Sequence, residues 1–496
     1  MSAGYLLVLT LVIPLLGAVL IALCGRWPNL RETVSLGTAV LLFATVVKIA
    51  LGPDGIALDS VVLVGPAVAP GLTLALHVEP LSVLFALVAS GLWVVTTVYA
   101  IGYMRGNGEH HQTRFYLCFA VALSGAMGVA FAANLFTLFI AYEVLTLSTY
   151  PLVAHKGDAK ARDGARTYLG VLLFSSIGFL MPAIVWVWLV AGTTDFAAGG
   201  VLAGHLDGVA ATALLLLFVL GIGKAAVMPM HRWLPAAMVA PTPVSALLHA
   251  VAVVKAGVFT LIKVVIYTFG LDFLAAVPWQ EWAMYLAGFT LVAASVVALR
   301  QTNLKRMLAY STISQLSYVA MAALVLAPLA EVGAVLHIAV HAVGKITLFF
   351  AAGAIYVASG KTELAQLDGI GRYMPVTMAA FTIAALSMIG VPPTAGFVSK
   401  WYMLAGAFEA GSYFMLGVLV LSTVLNAGYF LPVVYRAFFR APARAAHWAS
   451  GEMQSHGEAP WPMVLALGVT AMLTLLLFAF NAPVVNLAKA MLGVLP

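Results

Sequence analysis

The sequence is short of charged residues. Of its 496 residues only 8% are Asp, Glu, Lys or Arg, whereas 63% are hydrophobic. Soluble domains contain about 25% charged and about half apolar residues, so this composition excludes a soluble enzyme. It predicts an all-α polytopic membrane protein with no nucleic-acid partner.

Cysteine and cofactor motifs are also scarce. Cys24 and Cys118 both lie in or beside apolar runs, and two such residues form neither a disulfide framework nor a metal cluster. No Walker loop, dinucleotide fingerprint, CxxC pair or haem motif occurs in the sequence. We therefore expect no cofactor, no bound metal and no catalytic redox site in this chain. Redox chemistry, if any, would belong to partner subunits.

Apolar runs long enough to cross a bilayer number about fourteen. We expect three spans in residues 1–114, five in 115–269 and five in 270–440. A cytoplasmic loop and the last span would follow in 441–496, and the polar segment from Gly52 to His77 is expected to form a short hairpin on the outer side.

Arginine is absent from the apolar runs. The arginines lie in loops that follow odd-numbered runs, and the positive-inside rule makes those loops cytoplasmic and places both termini on the outer side of the inner (plasma) membrane. Arginine does not lose its proton in practice, whereas a desolvated lysine does. A lysine-only set inside the membrane is typical of proton transfer. Its members are Lys48, Lys224, Lys255, Lys263, Lys345, Lys400 and Lys489.

The segment from Leu220 to Lys263 combines buried lysines with closely spaced prolines. Each charge at such depth costs about 2.5 to 3.5 kcal/mol, and broken backbone survives there only where protein or a water-filled cavity satisfies it. Lys224 could instead reach an interface by extending its side chain. Lys255 is too deep for that, and His249, on another side of the same helix, could serve a separate step of a relay.

Glu143 lies in the middle of the fifth apolar run, and the sequence indicates that it is the one carboxylate deep inside an apolar helix. A buried carboxylate needs a cation, and Lys224 is the candidate. The pair could tune the proton affinity of Lys224, or it could be a static contact that orients two helices.

The eleventh run sets His337, His341 and Lys345 four residues apart, which places them on one helix face. Two histidines at this spacing could form half of a zinc site, but no third ligand is near in sequence. They could also be core histidines with ordinary hydrogen bonds. A proton relay, which uses the near-neutral pKa of histidine, is the preferred interpretation.

The twelfth run is interrupted by Pro392, Pro393 and Gly396 just before Lys400. An interrupted span with a lysine thus occurs twice, around Lys224 and around Lys400. Paired interruptions in two halves are typical of transporters built from inverted repeats.

Four ordered segments carry a family resemblance: MPMHRWLPAAMVAPTPVSALLHAVAVVKAGVF, LKRMLAYSTISQLSYV, HIAVHAVGKITLFF and GVPPTAGFVSKW. Together they resemble the antiporter-like membrane subunits shared by respiratory complex I and the Mrp-type multisubunit sodium/proton antiporters, over roughly residues 80–440. The resemblance implies fourteen spans, two inverted five-helix repeats and broken helices seven and twelve. The residues around Lys400 are most similar to those of the D subunit of the Mrp-type complexes.

The resemblance also implies roles for individual residues. The family's ionisable residues of helices five, seven, eight and twelve match Glu143, Lys224, Lys255 and Lys400, and its central polar axis matches His249, His337, His341 and Lys345. Some relatives carry glutamate at the position of Lys400, and the lysine here argues against that subtype.

These observations predict a proton-translocating membrane subunit of a multisubunit cation/proton antiporter complex, with sodium as a candidate for the exchanged cation. The expected partners are other membrane subunits, protons, sodium and lipid. Alternatives are a proton-pumping subunit of a complex I type NADH-quinone oxidoreductase and a membrane subunit of an inorganic carbon uptake module. An independent carrier for a small organic ion is a further alternative.

Overall fold

A computed structural model describes residues 3–52, 62–69, 72–441 and 457–493. Within these ranges twelve helices are long and apolar enough to cross a membrane, and two further apolar helices are shorter. The prediction of an all-α polytopic membrane protein is therefore confirmed. The count of fourteen spans, the two inverted repeats and the domain boundaries stay predictions.

The N-terminal part contains five long helices and one hairpin. In chain order the elements are α1 (Ala3–Leu23), α2 (Pro28–Leu51), β1 (Val62–Ala69), β2 (Leu72–His77), α3 (Pro80–Gly106), α4 (Gln112–Phe131) and α5 (Leu135–Val153). The strands pair antiparallel with Leu63 opposite Leu76, which confirms the predicted hairpin over the described residues. Residues 53–61 and 70–71 of the predicted segment lie outside them.

In the middle part of the chain, some α-helices continue into π-helical turns. Its helices are α6 (Ala159–Ser175), α7 (Met181–Ala191), α8 (Gly208–Gly221), α9 (Trp233–Ala236), α10 (Thr242–Ala246), α11 (Val253–Lys263), α12 (Leu271–Ala276), α13 (Glu281–Leu299) and α14 (Leu304–Leu324). A π-helical turn joins α10 to α11, and a second one follows α11. Thr242–Phe269 is consequently one helical span of 28 residues.

The C-terminal part begins with the longest helix of the described chain. Its helices are α15 (Pro328–Ser359), α16 (Pro375–Ile389), α17 (Ala395–Glu409), α18 (Tyr413–Phe439), α19 (Trp461–Ala479) and α20 (Ala482–Met491). The predicted cytoplasmic loop with Arg444, His447 and His456 lies outside the described residues, which stop at 441 and resume at 457.

The helical structure is interrupted at both places where the sequence combines proline, glycine and lysine. After α8 the chain forms a 3-10 turn, Gly223–Ala225, that carries Lys224, and Ala226 then takes the left-handed conformation with φ 57. The second interruption separates α16 from α17, where Gly390 has φ 95. Helix ends leave backbone carbonyls and N–H groups unpaired, so both interruptions create polar positions inside an apolar protein.

Three membrane-length helical segments are almost completely enclosed by the rest of the molecule. The apolar windows of Thr242–Phe269 and α15 are 100% buried and that of α14 is 94% buried, whereas those of α2, α18 and α19 are 33% buried. The outer helices expose large apolar side chains such as Leu41, Val424 and Phe439. This arrangement is the one expected in lipid, where apolar side chains face outward and ionisable groups face the interior of the bundle.

Candidate functional site: a buried row of lysines and histidines

Seven of the eight predicted site residues lie in the protein interior. Lys224, His249, Lys255, His337, His341 and Lys345 are 0% exposed, and Lys400 is 6% exposed. They come from the interruption after α8, the span Thr242–Phe269, α15 and α17. The structure therefore gathers ionisable residues from both predicted repeats into the centre of the molecule.

Lys224 is bound by the neighbouring helix α5. Its Nζ donates to the backbone oxygen of Tyr142 at 2.8 Å and to Thr146 Oγ1 at 2.6 Å, and it lies 3.0 Å from the centroid of the Tyr142 ring. Gly257 of α11 packs directly on the backbone of Lys224 and Ala225, where any Cβ would clash. The glycine lets a second helix approach the interruption closely enough to shield the ammonium group.

The expected ion pair between Glu143 and Lys224 is wrong as a direct contact. Both carboxyl oxygens of Glu143 are buried but have no hydrogen-bond partner, because the lysine side chain turns to Tyr142 and Thr146, one residue before and three residues after the glutamate. Glu143 is nevertheless the next residue after Tyr142, whose backbone oxygen accepts from Lys224. A long-range electrostatic influence remains, without the geometry of a salt bridge.

Lys255 and His341 form the contact that joins the two halves of the row. Lys255 Nζ lies 2.5 Å from His341 Nδ1, so α11 and α15 share a hydrogen bond between two ionisable groups. His341 Nε2 has no partner, and the His341 ring stacks on His337 with centroids 5.8 Å apart. An amine and an imidazole at this distance can hold one proton between them.

His337 has polar contacts at both ring nitrogens. Nε2 lies 2.9 Å from Gln315 Oε1 and Nδ1 lies 2.9 Å from Ser399 Oγ. The Ser399 hydroxyl also lies 3.2 Å from the Gly396 oxygen and has one proton to give. It donates to Nδ1 when His337 is neutral and to Gly396 when the ring is protonated. The site thus accommodates both charge states, while bonded nitrogens make His337 a poor zinc ligand.

Lys345 lies on the same helix as the two histidines and bonds to α14. Its Nζ donates to the Leu308 oxygen at 3.2 Å and to Ser311 Oγ at 2.8 Å. Tyr429 of α18 extends this group, since its hydroxyl lies 3.0 Å from Ser311 Oγ. Lys345 is therefore hydrogen-bonded to Ser311 of α14 and, through the Ser311 hydroxyl, connected to Tyr429 of α18.

Lys400 completes the second interruption. Its Nζ donates to the backbone oxygens of Met388 and Ile389, each at 2.9 Å, and to the Tyr318 hydroxyl at 3.3 Å. These carbonyls end α16, where the helix dipole is negative and carbonyl groups lack helical partners. The ammonium group caps the broken helix, and the neutral amine would still have two N–H donors for these two carbonyls.

His249 is the least constrained member of the row. Both of its ring nitrogens are buried without a hydrogen-bond partner, and its ring packs on Phe349 at a centroid distance of 4.8 Å. A buried polar group without a partner is uncommon. His249 therefore has a ring nitrogen that is available to accept a hydrogen bond from water or to bind a proton.

The sequence interpretation missed several buried carboxylates, among them Glu331 and Glu79, so its statement that Glu143 stands alone is wrong. Glu331 is 0% exposed and has no hydrogen-bond partner. Glu79 is 5% exposed and forms a salt bridge with Lys263. Both lie in the first turn or at the cap of a helix, where hydropathy alone suggests contact with water. The only sequence signal for the second was an unassigned deep lysine at position 263.

Sequence profiles of two families match the chain. The family described as NADH:quinone oxidoreductase/Mrp antiporter, TM, matches residues 132–426, more than half of the chain. The family described as NADH-ubiquinone oxidoreductase (complex I), chain 5 N-terminus, matches residues 70–116. The predicted resemblance to antiporter-like subunits is thereby confirmed.

Individual relatives come from both kinds of complex. NADH-quinone oxidoreductase subunit N of Desulforudis audaxviator is 31% identical over 424 residues, which is 83% of this chain and 83% of the relative. A probable K(+)/H(+) antiporter subunit of Rhizobium meliloti is 33% identical over 384 residues, which is 75% of this chain but only 37% of the relative.

The fold has a counterpart among solved structures. A chain of the Mrp complex from Dietzia sp. DQ12-45-1b superposes with a TM-score of 0.86 at 22% sequence identity, covering 99% of this chain and 98% of that one. At this identity the likeness shows the fold alone. The profile match over residues 132–426 shows that the chain belongs to the family of NADH:quinone oxidoreductase and Mrp antiporter transmembrane subunits.

Proposed function

We propose that this chain is a proton-translocating membrane subunit of a multisubunit cation/proton antiporter complex. The observation that carries the proposal is the buried row itself, which runs from one helix interruption at Lys224 to the other at Lys400 and is joined across α11 and α15 by Lys255 and His341. Buried ionisable residues at membrane depth are costly and mark ion pathways. Sodium is the proposed exchanged cation, as in a Na(+)/H(+) antiporter subunit of Staphylococcus aureus, 31% identical over 386 residues.

In the proposed path, protons enter from the cytoplasm near Lys224 and pass His249 and Lys255. They cross the centre by His341, His337 and Lys345 and leave through Lys400. Every member is a lysine or histidine that can gain and lose a proton, and Lys255 to His341 is a direct step of 2.5 Å. Glu143 would tune the proton affinity of Lys224 through space.

The proposed setting is a hetero-oligomeric complex in the inner (plasma) membrane, with both termini on the outer side and residues 115–269 and 270–440 as inverted repeats. The relatives support partner subunits, since their names describe them as subunits of larger assemblies. A reporter fused after Pro496 should be external and one inserted near Asp158 internal. Reporters found on the same side would contradict this topology.

A redox-linked pump is the second candidate. It is favoured by the relative from Desulforudis audaxviator, which is named as a subunit of NADH-quinone oxidoreductase and matches 83% of each chain. In that setting the same buried row would be driven by partner subunits that oxidise NADH. A membrane subunit of an inorganic carbon uptake module remains a further alternative, with a soluble partner in place of small membrane subunits.

Purification and flux measurements together test the proposal. The complex is isolated through a tag on this chain, its subunits are identified by mass spectrometry, and it is reconstituted into vesicles with a pH-sensitive dye inside. Proton movement driven by a sodium or potassium gradient supports the antiporter. Movement that requires NADH and quinone supports the pump, a soluble zinc protein as partner supports the uptake module, and a lone chain without cation-driven proton flux contradicts the proposal.

A further inference from the structure

Glu331 is a buried acid that the proposed path does not use. It lies in the first turn of α15, the helix that carries His337, His341 and Lys345. Its side chain is 0% exposed, and neither carboxyl oxygen has a hydrogen-bond partner. Buried polar groups in folded proteins nearly always have a partner, so a carboxyl group without one requires a physical explanation.

The surroundings of Glu331 favour its neutral form. An ionised carboxylate in an apolar interior is far more costly than the acid unless a cation contacts it. The comparison with Glu79 is direct, because that buried carboxylate contacts Lys263 and accepts a hydrogen bond from Ser82 Oγ at 3.1 Å. Glu331 lacks such contacts and is therefore held with a proton on its carboxyl group.

Glu331 also lies between the surface and the relay. Pro328, three residues earlier, is exposed, whereas every residue from Ala330 to Ile355 of α15 is buried. At the helical rise of about 1.5 Å per residue, the Cα atom of Glu331 lies about 5 Å along the axis from that of Pro328, and the Cα atom of His337 lies about 9 Å further along.

An apolar stretch separates Glu331 from the lysine that shares its face. Residues seven apart lie on nearly the same side of a helix, so Glu331, Ile338 and Lys345 are aligned. Ala334, Val335 and Ile338 are buried on this side. Protons can pass this apolar stretch only when water molecules enter it. Without water, the stretch would prevent protons from leaking between the surface and the relay.

We propose that Glu331 is a proton-binding site at the surface end of α15 that exchanges protons between the adjacent solution and the relay. Its carboxylate takes a proton from water on one side, and the O–H bond breaks when the proton passes to water on the other side. The transport step depends on the proposed function, whereas proton binding at Glu331 does not.

Chemical labelling tests the binding site in the intact wild-type complex. The hydrophobic reagent dicyclohexylcarbodiimide reacts with protonated carboxylic acids inside membranes and forms a stable acylurea. Mass spectrometry of the digested complex should find the adduct on Glu331 and not on Glu79, which is the matched control because it is also buried but is paired with Lys263. An unlabelled Glu331, or equal labelling of both residues, would contradict the proposal.

Substitution tests the transport step. Glu331→Gln keeps the shape and polarity but cannot carry a proton, so proton flux should fall about a hundredfold in an assembled complex, and Glu331→Asp should restore part of it. A Glu331→Gln complex as active as wild type would overturn the transport role. A wild-type complex that moves no protons would instead overturn the proposed function, and the labelling result would still decide whether Glu331 binds a proton.

Discussion

The Nζ atom of Lys255 lies 2.5 Å from Nδ1 of His341, and this is the one place where the described structure joins ionisable side chains of α11 and α15 directly. The contact links α11, in the first predicted repeat, to α15, in the second. An amine and a neutral imidazole can exchange a proton along this hydrogen bond without any movement of the backbone. Proton transfer between the two halves of the row therefore has a defined position.

Replacement of His341 by glutamine tests this step. Glutamine keeps a polar group beside Lys255 but has no titratable nitrogen, so we expect proton flux to fall about a hundredfold, the lower range for removal of an acid–base group. Assembly should be unchanged, because the hydrogen bond to Lys255 is retained. Proton flux of reconstituted vesicles is compared with that of Thr347→Val, a substitution of another buried polar residue on the same helix that is not part of the row. Equal activity of the His341→Gln complex and wild type would place the path elsewhere.

The salt bridge between Glu79 and Lys263 has a structural role that a double substitution can reveal. Lys263 Nζ contacts the Glu79 carboxylate, donates to the Ala132 oxygen at 2.5 Å and lies 4.4 Å from the Phe196 ring centroid. Lys263→Met leaves a buried carboxylate without a cation, which costs about 3 to 5 kcal/mol. We expect a marked loss of thermal stability in that variant and partial recovery when Glu79→Gln is added.

The measurement is the melting temperature of the purified complex in detergent. If the double variant is no more stable than Lys263→Met alone, the pair is not what stabilises the contact between α3 and α11. Because the charges cancel inside this pair, the double variant should also retain proton flux, which separates Lys263 from the lysines of the row.

His155, in the connection after α5, predicts a dependence of stability on pH. Burial and the neighbouring Arg114 guanidinium lower its pKa from 6.5 to about 4, although the Glu109 carboxylate lies 3.8 Å from Nε2. The folded chain thus keeps the imidazole neutral at pH values where the unfolded chain protonates it. The stabilising contribution is complete above about pH 6.5 and is lost as the pH falls towards 4.

His155→Gln should flatten the fall in melting temperature between these pH values, since glutamine does not titrate. His205→Gln is the control, because His205 is exposed and its imidazole is in contact with water in both the folded and the unfolded chain. A wild-type profile that is already flat across this range, or one that the His155 substitution leaves unchanged, would show that the neutral imidazole does not limit acid stability.

The sequence predicted which residues are buried much better than it predicted their contacts. Proline and glycine beside Lys224 and Lys400 indicated both interruptions because such residues break helical hydrogen bonding. Spacing placed His337, His341 and Lys345 on one face because the helical period is fixed. These inferences depend only on local chain geometry, which a single sequence contains.

Contacts between helices depend on how each helix is rotated and how closely it packs, and no local pattern encodes that. Lys224 was expected to meet Glu143, but the rotation of α5 presents the Tyr142 backbone and Thr146 instead. Glu331 was overlooked because an acid near a helix end ordinarily reaches water. Here α17 packs tightly beside it, with no space for a Cβ at Gly406 against Ala330, and the helix end is enclosed.

Substitutions at Lys224 distinguish a proton carrier from a static anchor. The lysine donates to Tyr142 and Thr146, contacts that arginine can also make. Arginine, however, does not release its proton. If Lys224 carries protons, Lys224→Arg should abolish flux as fully as Lys224→Ala although its complex assembles. If Lys224 only anchors the broken helix to α5, the arginine variant should transport like wild type and the alanine variant should fail to assemble.

Glu143 and Thr146 provide the matching controls. Because Glu143 makes no direct contact with Lys224 but adjoins Tyr142, which binds it, and is proposed to tune its proton affinity, Glu143→Gln should reduce flux severely without loss of assembly. Thr146→Val removes one neutral acceptor and should have a smaller effect, since a neutral hydrogen bond contributes only about 1 kcal/mol. Flux and assembly are measured on the same preparations. An active Lys224→Arg complex would remove this lysine from the path, and with it the entry at the first interruption, whatever the behaviour of the Glu143 variant.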